Sequence, residues 1–195
     1  MLLKNKIIDY KNIYYPPGGI LLWLIIFLEL FTFGIALLVM TYSSTDEPEV
    51  FHNSRLILNS TVGALNTVFL IVSGFFMAQS VAFFKIKKLK KSSLYLKLTM
   101  FGGLLFLGLK TFEYYDKIEM GYTIGYNTFF SFYWMLTLFH VIHVVVGLII
   151  LLSLQFSIIK KKTDTSLENM ESSAAFWHMC DLIWVLLFPI LYLIF

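Results

Sequence analysis

The chain has 195 residues, of which 58% are hydrophobic and 18% aromatic, and its mean hydropathy is +0.78. One soluble core of this size cannot hide so much apolar surface, so the composition excludes an ordinary soluble domain and indicates a membrane protein. The formal net charge is only +3, and the lysine runs lack the interleaved aromatic residues of a single-strand binding groove, which excludes nucleic acid as a partner.

Five apolar runs are long enough to cross a hydrocarbon layer about 30 Å thick, which takes roughly 20 helical residues. They are continuously apolar, whereas the strands of a membrane barrel alternate apolar and polar residues. We therefore predict an all-α polytopic membrane bundle that forms one domain over residues 1–195. Its five transmembrane helices are expected at about residues 19–41, 60–84, 93–114, 127–157 and 174–195.

The charged loops predict which side of the membrane each end of the chain occupies. "KIKKLKK" at residues 85–91 carries five lysines and "KKK" at 160–162 is a second basic cluster, whereas the loops at 42–58 and 115–126 contain acidic residues. Cationic loops stay in the cytoplasm. We therefore expect the N-terminus inside and the C-terminus outside.

Polar residues are rare within the predicted spans. Each of them needs a partner or a function, because a charge at the centre of the bilayer costs about 2.5 kcal/mol or more. In chain order they are Glu29, Asn66, Lys110, Glu113, His140, His143, His178 and Asp181.

The sequence "FHVIHVVVGL" places His140 and His143 three residues apart, so both project from similar faces of one helix. As haem ligands they would need a histidine on a facing helix at the same depth, but His178 is expected roughly 10 Å from the middle of its own helix. A metal site would need a third ligand, and nothing in the sequence brings Glu29 to this turn. We therefore expect the imidazoles to hydrogen-bond to neighbouring helices.

Two segments resemble subunit III of haem-copper oxidases. "YWMLTLFHVIHVVVGL" is similar to the family helix with a His-x-x-His before a valine-rich stretch that contains glycine. "ESSAAFWHMCDLIWVLLFPILYL" is similar to the last family helix, in which Glu precedes Trp-His-x-x-Asp-x-x-Trp. Three earlier segments, "WLIIFLELFTFG", "LNTVFLIVSG" and "LKTFEYYDKI", resemble the first three helices of the conserved bundle in the same order. The resemblance covers about residues 18–195.

The resemblance implies an accessory subunit of a respiratory complex, with no catalytic residue and no haem or metal of its own. Such a subunit packs beside a catalytic, subunit I-like partner that holds haem together with copper or non-haem iron. It binds phospholipid and supports the stability of that partner and proton supply to it. A bacterial inner (cytoplasmic) membrane is implied as its location. The matching positions, which resemble structural or lipid-contact positions, are Glu29, Glu113, His140, His143, Glu171, His178 and Asp181.

The five-helix length departs from the mitochondrial type of the family, which has seven helices and a lipid cleft between the first two and the other five. This length also occurs in subunits of bacterial quinol oxidases and in the subunit III-like protein associated with nitric oxide reductase. "FYWMLTLFH", Lys110 three residues before Glu113, and "WHM" followed by "LFPILYL" resemble the latter. They favour a nitric oxide reductase of denitrification as the partner over a terminal oxidase.

Two other classes of protein remain open from the residues alone. An independent transporter would use Glu29, Lys110 and Asp181 along an ion path, although the five spans show no inverted repeat. A haem-binding membrane oxidoreductase would carry its own pigment, so the absorbance of the purified chain separates it from an accessory subunit.

Overall fold

The computed structural model describes residues 19–160 and 166–195 of the chain. The lysines near the N-terminus, and residues 161–162 of the second basic cluster, lie outside these ranges. The predicted orientation of the chain therefore depends partly on residues that the structure does not describe.

The described residues form a bundle of helices. In chain order the helices are α1 (Gly19–Asp46), α2 (Pro48–Ile57), α3 (Ser60–Lys85), α4 (Leu89–Glu119), α5 (Thr128–Ile159) and α6 (Leu167–Pro189), and a π-helical turn (Ile190–Ile194) continues α6. All except α2 are long and apolar enough to cross a membrane, α6 together with its π-helical turn. The predicted all-α class and the five membrane-spanning helices are confirmed.

The short helix α2 was not expected, because residues 42–58 were predicted to be a loop between two spans. Pro48 at the first helical turn favours the start of a helix, and Glu49 interacts favourably with the positive end of the helix dipole. One face of α2 is buried, and the ring of Phe51 packs edge-on against Phe129 of α5 and Phe195. This helix closes one end of the bundle, which we call the α2 end; the opposite end, where residues 85–91 join α3 to α4, is the lysine end.

Side-chain caps fix where three of the helices begin. The side chain of Asn59 accepts hydrogen bonds from the first backbone N–H groups of α3, Asn127 does the same for α5, and Ser166 for α6. Each cap satisfies backbone donors that have no partner within the helix. Asn127 also donates to Ser54 of α2, which joins that helix to the start of α5.

Helix α6 occupies the middle of the packing, with α1, α3 and α5 against it. The indole of Trp177 fills a space between α6 and its neighbours that two glycines leave open. A Cβ atom at Gly103 would come within 2.6 Å of this ring, and one at Gly147 within 3.0 Å. Trp177 Nε1 donates to Ser73 on α3, and Ser73 donates to the carbonyl of Thr99 on α4. This depth of packing brings the polar residues of different helices into contact.

Candidate functional site

Glu29 of α1 and His143 of α5 are in contact inside the membrane-spanning region. Glu29 Oε2 lies 3.3 Å from His143 Nε2, and the other imidazole nitrogen lies 2.8 Å from the carbonyl oxygen of Phe139 one turn earlier. A histidine that donates from Nδ1 to that carbonyl presents Nε2 to the carboxyl group, so a protonated Glu29 can donate to it with no net charge. The structure thus brings Glu29 to the histidine turn, which the sequence did not indicate.

His140 lies in an aromatic cage and does not hydrogen-bond as expected. It is fully buried, stacked on Trp184 with 5.4 Å between ring centroids, and edge-on to Phe106 at 5.6 Å. Neither imidazole nitrogen has a hydrogen-bond partner among the described residues. The expectation of an interhelical hydrogen bond is therefore wrong for His140.

The two histidines point to different neighbours because three residues of an α-helix turn through about 300°, which leaves an offset of about 60°. His140 faces the core formed by α4 and α6, whereas His143 faces α1. From the sequence, this offset was too small to predict that the two histidines have different neighbours. In the structure, it places His140 on a buried face of α5 and His143 at the interface with α1.

Lys110 and Glu113 of α4 form a buried pair near the α2 end. Lys110 Nζ lies 3.3 Å from Glu113 Oε2 and donates to two tyrosine hydroxyls, Tyr133 of α5 at 3.2 Å and Tyr192 of the π-helical turn at 2.8 Å. Both hydroxyls in turn donate to Glu113 Oε1. The four side chains form a closed set of hydrogen bonds that joins three segments; we call it the lysine–tyrosine cluster.

Aromatic faces surround the ammonium group of this cluster. Lys110 Nζ lies 5.0 Å from the ring centroid of Tyr114 and 5.2 Å from that of Trp184, which are cation–π distances. At the edge of the cluster, Arg55 of α2 donates through Nε to the backbone carbonyl of Tyr192. The sequence predicted that Lys110 and Glu113 are charges within a span. Spacing along the chain could not indicate that two tyrosines would hydrogen-bond to both of them.

Glu171 at the start of α6 pairs with Lys85 at the end of α3. The distance between Lys85 Nζ and Glu171 Oε1 is 2.8 Å, and the lysine side chain is 52% exposed while the glutamate side chain is 10% exposed. Pairs of this exposure contribute little to stability. The pair of Lys85 and Glu171 instead sets the position of the start of α6 beside the end of α3, at the lysine end.

His178 and Asp181 form the last pair, on α6 itself, whereas a hydrogen bond from His178 to a neighbouring helix was expected. His178 Nδ1 lies 3.4 Å from Asp181 Oδ2, and the carboxyl group fits against α3 where Gly74 has no side chain. Asp181 Oδ1 is buried without a hydrogen-bond partner among the described residues, as are both polar atoms of Asn66. The described residues contain no group of three or more His, Cys, Asp and Glu side chains placed to hold a metal ion.

Comparison with known proteins shows the family of the chain. The family model described as cytochrome c oxidase subunit III matches residues 19–194. The chain belongs to the subunit III family. The cytochrome bo(3) ubiquinol oxidase subunit 3 of Buchnera aphidicola subsp. Acyrthosiphon pisum (strain APS) is 30% identical over 141 residues, which cover 72% of this chain and 69% of the relative. The cytochrome c oxidase subunit 3 of Synechocystis sp. is also 30% identical, over 182 residues that cover 90% of this chain and 74% of the relative.

Subunit III proteins are accessory membrane subunits of haem-copper oxidases in the respiratory chain, and the predicted resemblance to that family is confirmed. The predicted location, a bacterial inner membrane crossed several times by the chain, agrees with the bacterial oxidase subunits among the relatives and with the five spans.

Proposed function

We propose that this subunit III assembles with a haem-copper catalytic subunit I, in which all the redox chemistry takes place, and stabilises it as a cofactor-free partner. The proposal rests on one observation: most of the polar and charged residues predicted within the spans pair with one another inside this chain. Glu29, His143, Lys110 and Glu113 contact one another in pairs within the chain, and the pairs or their hydrogen bonds join different helices. Residues used in this way build a rigid helical surface for a neighbouring subunit.

The exposed surface of α1 supports a role that includes bound phospholipid. Large apolar side chains project from this helix along its length, for example Leu21 at 73% and Leu38 at 71% exposure. An apolar surface of this extent must be covered by acyl chains or by another subunit. We assign the apolar surface of α1 to contact with both acyl chains and the catalytic subunit, with phospholipid lying between the two proteins.

Proton supply to the catalytic subunit is a further part of the proposal, and the pair of Glu29 and His143 is its candidate. Each of these side chains is partly exposed on the surface of the bundle, at 19% and 12%, so both can be reached from a neighbouring subunit. A carboxyl group that can share a proton with an imidazole is able to release and accept that proton. The other predicted site residues hold helices together in this proposal.

The catalytic partner is either a terminal oxidase or a nitric oxide reductase. The relatives named above are subunits of ubiquinol and cytochrome c oxidases, which favours the oxidase. The buried lysine three residues before Glu113, now seen inside the lysine–tyrosine cluster, favours the subunit III-like protein associated with nitric oxide reductase. Oxygen and nitric oxide consumption by the purified complex distinguishes the two.

Purification of the solubilised complex through a tag on this chain tests the main proposal. We expect a haem-containing catalytic subunit to co-purify, and we expect the chain separated from it to show no haem or copper absorbance. Deleting the chain should lower the thermal stability of the catalytic subunit. A pigmented isolated chain, or a catalytic subunit that is equally stable without it, would contradict the proposal.

A further inference from the structure

The lipid-facing side of α6 has one polar residue in an otherwise apolar stripe. Leu182, Val185 and Leu186 are 47%, 39% and 42% exposed, and His178 is the exposed residue one turn before them. The His178 side chain is itself 45% exposed. An imidazole in hydrocarbon has polar atoms that water cannot satisfy, so a partner from the membrane phase is needed.

Helices α1 and α3 both pack against α6, and Gly74 of α3 faces Asp181. The stripe lies on the exposed surface of α6, whereas Trp177 and Trp184 are fully buried. The stripe is therefore open to the membrane.

Asp181 determines which atom of His178 faces the membrane. The contact with Asp181 Oδ2 occupies Nδ1, and no described residue forms a hydrogen bond or an ion pair with Nε2. Because hydrocarbon surroundings disfavour charge, the uncharged form of the pair is the relevant one. In that form one proton lies between Oδ2 and Nδ1 and the second is on Nε2, so an N–H donor projects from the stripe. It requires a ligand with an acceptor oxygen.

The depth of His178 in the membrane indicates which class of ligand supplies the acceptor oxygen. Glu171 pairs with the half-exposed Lys85 at the lysine end, which marks the level of the membrane interface. His178 follows Glu171 by seven residues, or about 10 Å along the helix. The ester and phosphate oxygens of phospholipids lie at the interface, whereas a quinone carries its carbonyl oxygens into the hydrocarbon.

We propose that His178 and the apolar stripe of α6 bind a membrane quinone, with Nε2–H donating to a quinone carbonyl and the isoprenoid tail lying along Leu182, Val185 and Leu186. The proposal concerns binding only, and no electron transfer occurs in this chain. It goes beyond the proposed function, because an accessory subunit needs no quinone site to stabilise its partner.

The test uses the whole complex in nanodiscs of phosphatidylethanolamine and phosphatidylglycerol that contain no quinone. A short-tailed azido-ubiquinone is photolysed over a range of concentrations, and labelled peptides of this chain are identified by mass spectrometry. We expect saturable labelling confined to residues 178–186 and the facing parts of α1 and α3. Decylubiquinone should compete, whereas diacylglycerol, which offers ester carbonyls, should not.

Replacing His178 with Leu should raise the half-saturating concentration about tenfold, as expected for the loss of one hydrogen bond. H178Q keeps an N–H donor and should label nearly as the wild type does. I149L, on the exposed surface of α5 and outside the proposed site, is the matched control. Labelling that is absent, not saturable, equally displaced by diacylglycerol or unchanged in H178L overturns the proposal. If H178L does not assemble, the position of the wild-type label and the two competitions decide. Co-purification of the catalytic subunit is scored in the same preparation, so failure of the proposed function is recognised separately.

Discussion

Lys110 and Glu113 lie one turn apart on α4, with 3.3 Å between Nζ and Oε2, and their side chains are only 1% and 3% exposed. Taking two opposite charges so far from water is costly, and their attraction offsets that cost only when further hydrogen bonds complete the arrangement. Tyr133 and Tyr192 provide those bonds from α5 and the π-helical turn. One ion pair thereby determines how three segments meet at the α2 end.

Removing one partner of this pair is expected to be more harmful than removing both. K110M leaves Glu113 without its cation and two tyrosine hydroxyls without the ammonium donor, so we expect it to lower the free energy of unfolding by about 3–5 kcal/mol. The double variant K110M/E113L should recover at least half of that loss. Unfolding in detergent micelles measures both, with K97M on an exposed part of α4 as the control. Equal losses in the single and double variants would show that the pair does not act as a unit.

Two glycines of α4 provide a matched test of the packing around Trp177. A Cβ atom at Gly103 would lie 2.6 Å from the Trp177 ring, whereas one at Gly108 would have no atom within 4 Å. We expect G103A to destabilise the fold by about 1–3 kcal/mol through overpacking. G108A should be neutral or stabilising by up to about 1 kcal/mol, because alanine favours the helix. The melting temperatures of the two variants in the same detergent check this, and similar shifts for both would contradict the packing described.

The surroundings of His140 predict how its replacement affects the haem content of the assembled complex. Its imidazole stacks on Trp184 and has no hydrogen-bond partner among the described residues. H140Q should therefore leave the haem content of the assembled complex unchanged, at a cost in stability of about 1 kcal/mol or more for the altered packing. The pyridine haemochrome spectrum, normalised to the amount of catalytic subunit, measures the haem. A loss of haem in proportion to the substitution would point to ligation.

The spans could be predicted from the sequence because each apolar run is long enough by itself to cross the membrane. Helix α2 could not, since ten residues with a single buried face give too weak a pattern beside the long apolar runs. The partners of most polar residues within the spans could not be predicted from the sequence either. Glu29 and His143 are separated by most of the chain, and only the packing of α1 on α5 brings them together. Within α4, by contrast, the spacing of Lys110 and Glu113 already allowed their contact.

The orientation of the bundle is tested by cysteines at its two ends. The structure shows which positions suit this experiment: Thr45 near the α2 end and Lys88 at the lysine end are exposed, whereas Ser92 is fully buried. In a chain whose buried Cys180 is replaced with alanine, an impermeant maleimide should label T45C from outside intact cells. K88C should be labelled only after the cells are opened, because lysine-rich loops stay in the cytoplasm. Labelling of both from the same side would contradict five crossings.

The last prediction separates the two roles proposed for Glu29. If the carboxyl group mainly joins α1 to α5, E29Q should preserve the contact with His143, whereas E29A should lose it at a cost of about 1–2 kcal/mol. H143Q is the reciprocal control, because it removes the imidazole but keeps an amide that can reach Glu29. Stability of the assembled complex, measured at one pH, tests this structural role.

Proton supply predicts a different result for the same substitution, because glutamine has the shape of glutamate but cannot titrate. E29Q should then assemble normally, yet its turnover should decline more steeply than that of the wild type as pH rises and protons become scarce. E113Q serves as a comparison, since the Glu113 side chain is enclosed in the lysine–tyrosine cluster and is 3% exposed, too buried to pass a proton to a neighbouring subunit. Turnover of E29Q that follows the wild type at every pH would remove proton supply from the proposed function and leave Glu29 as a residue that joins two helices.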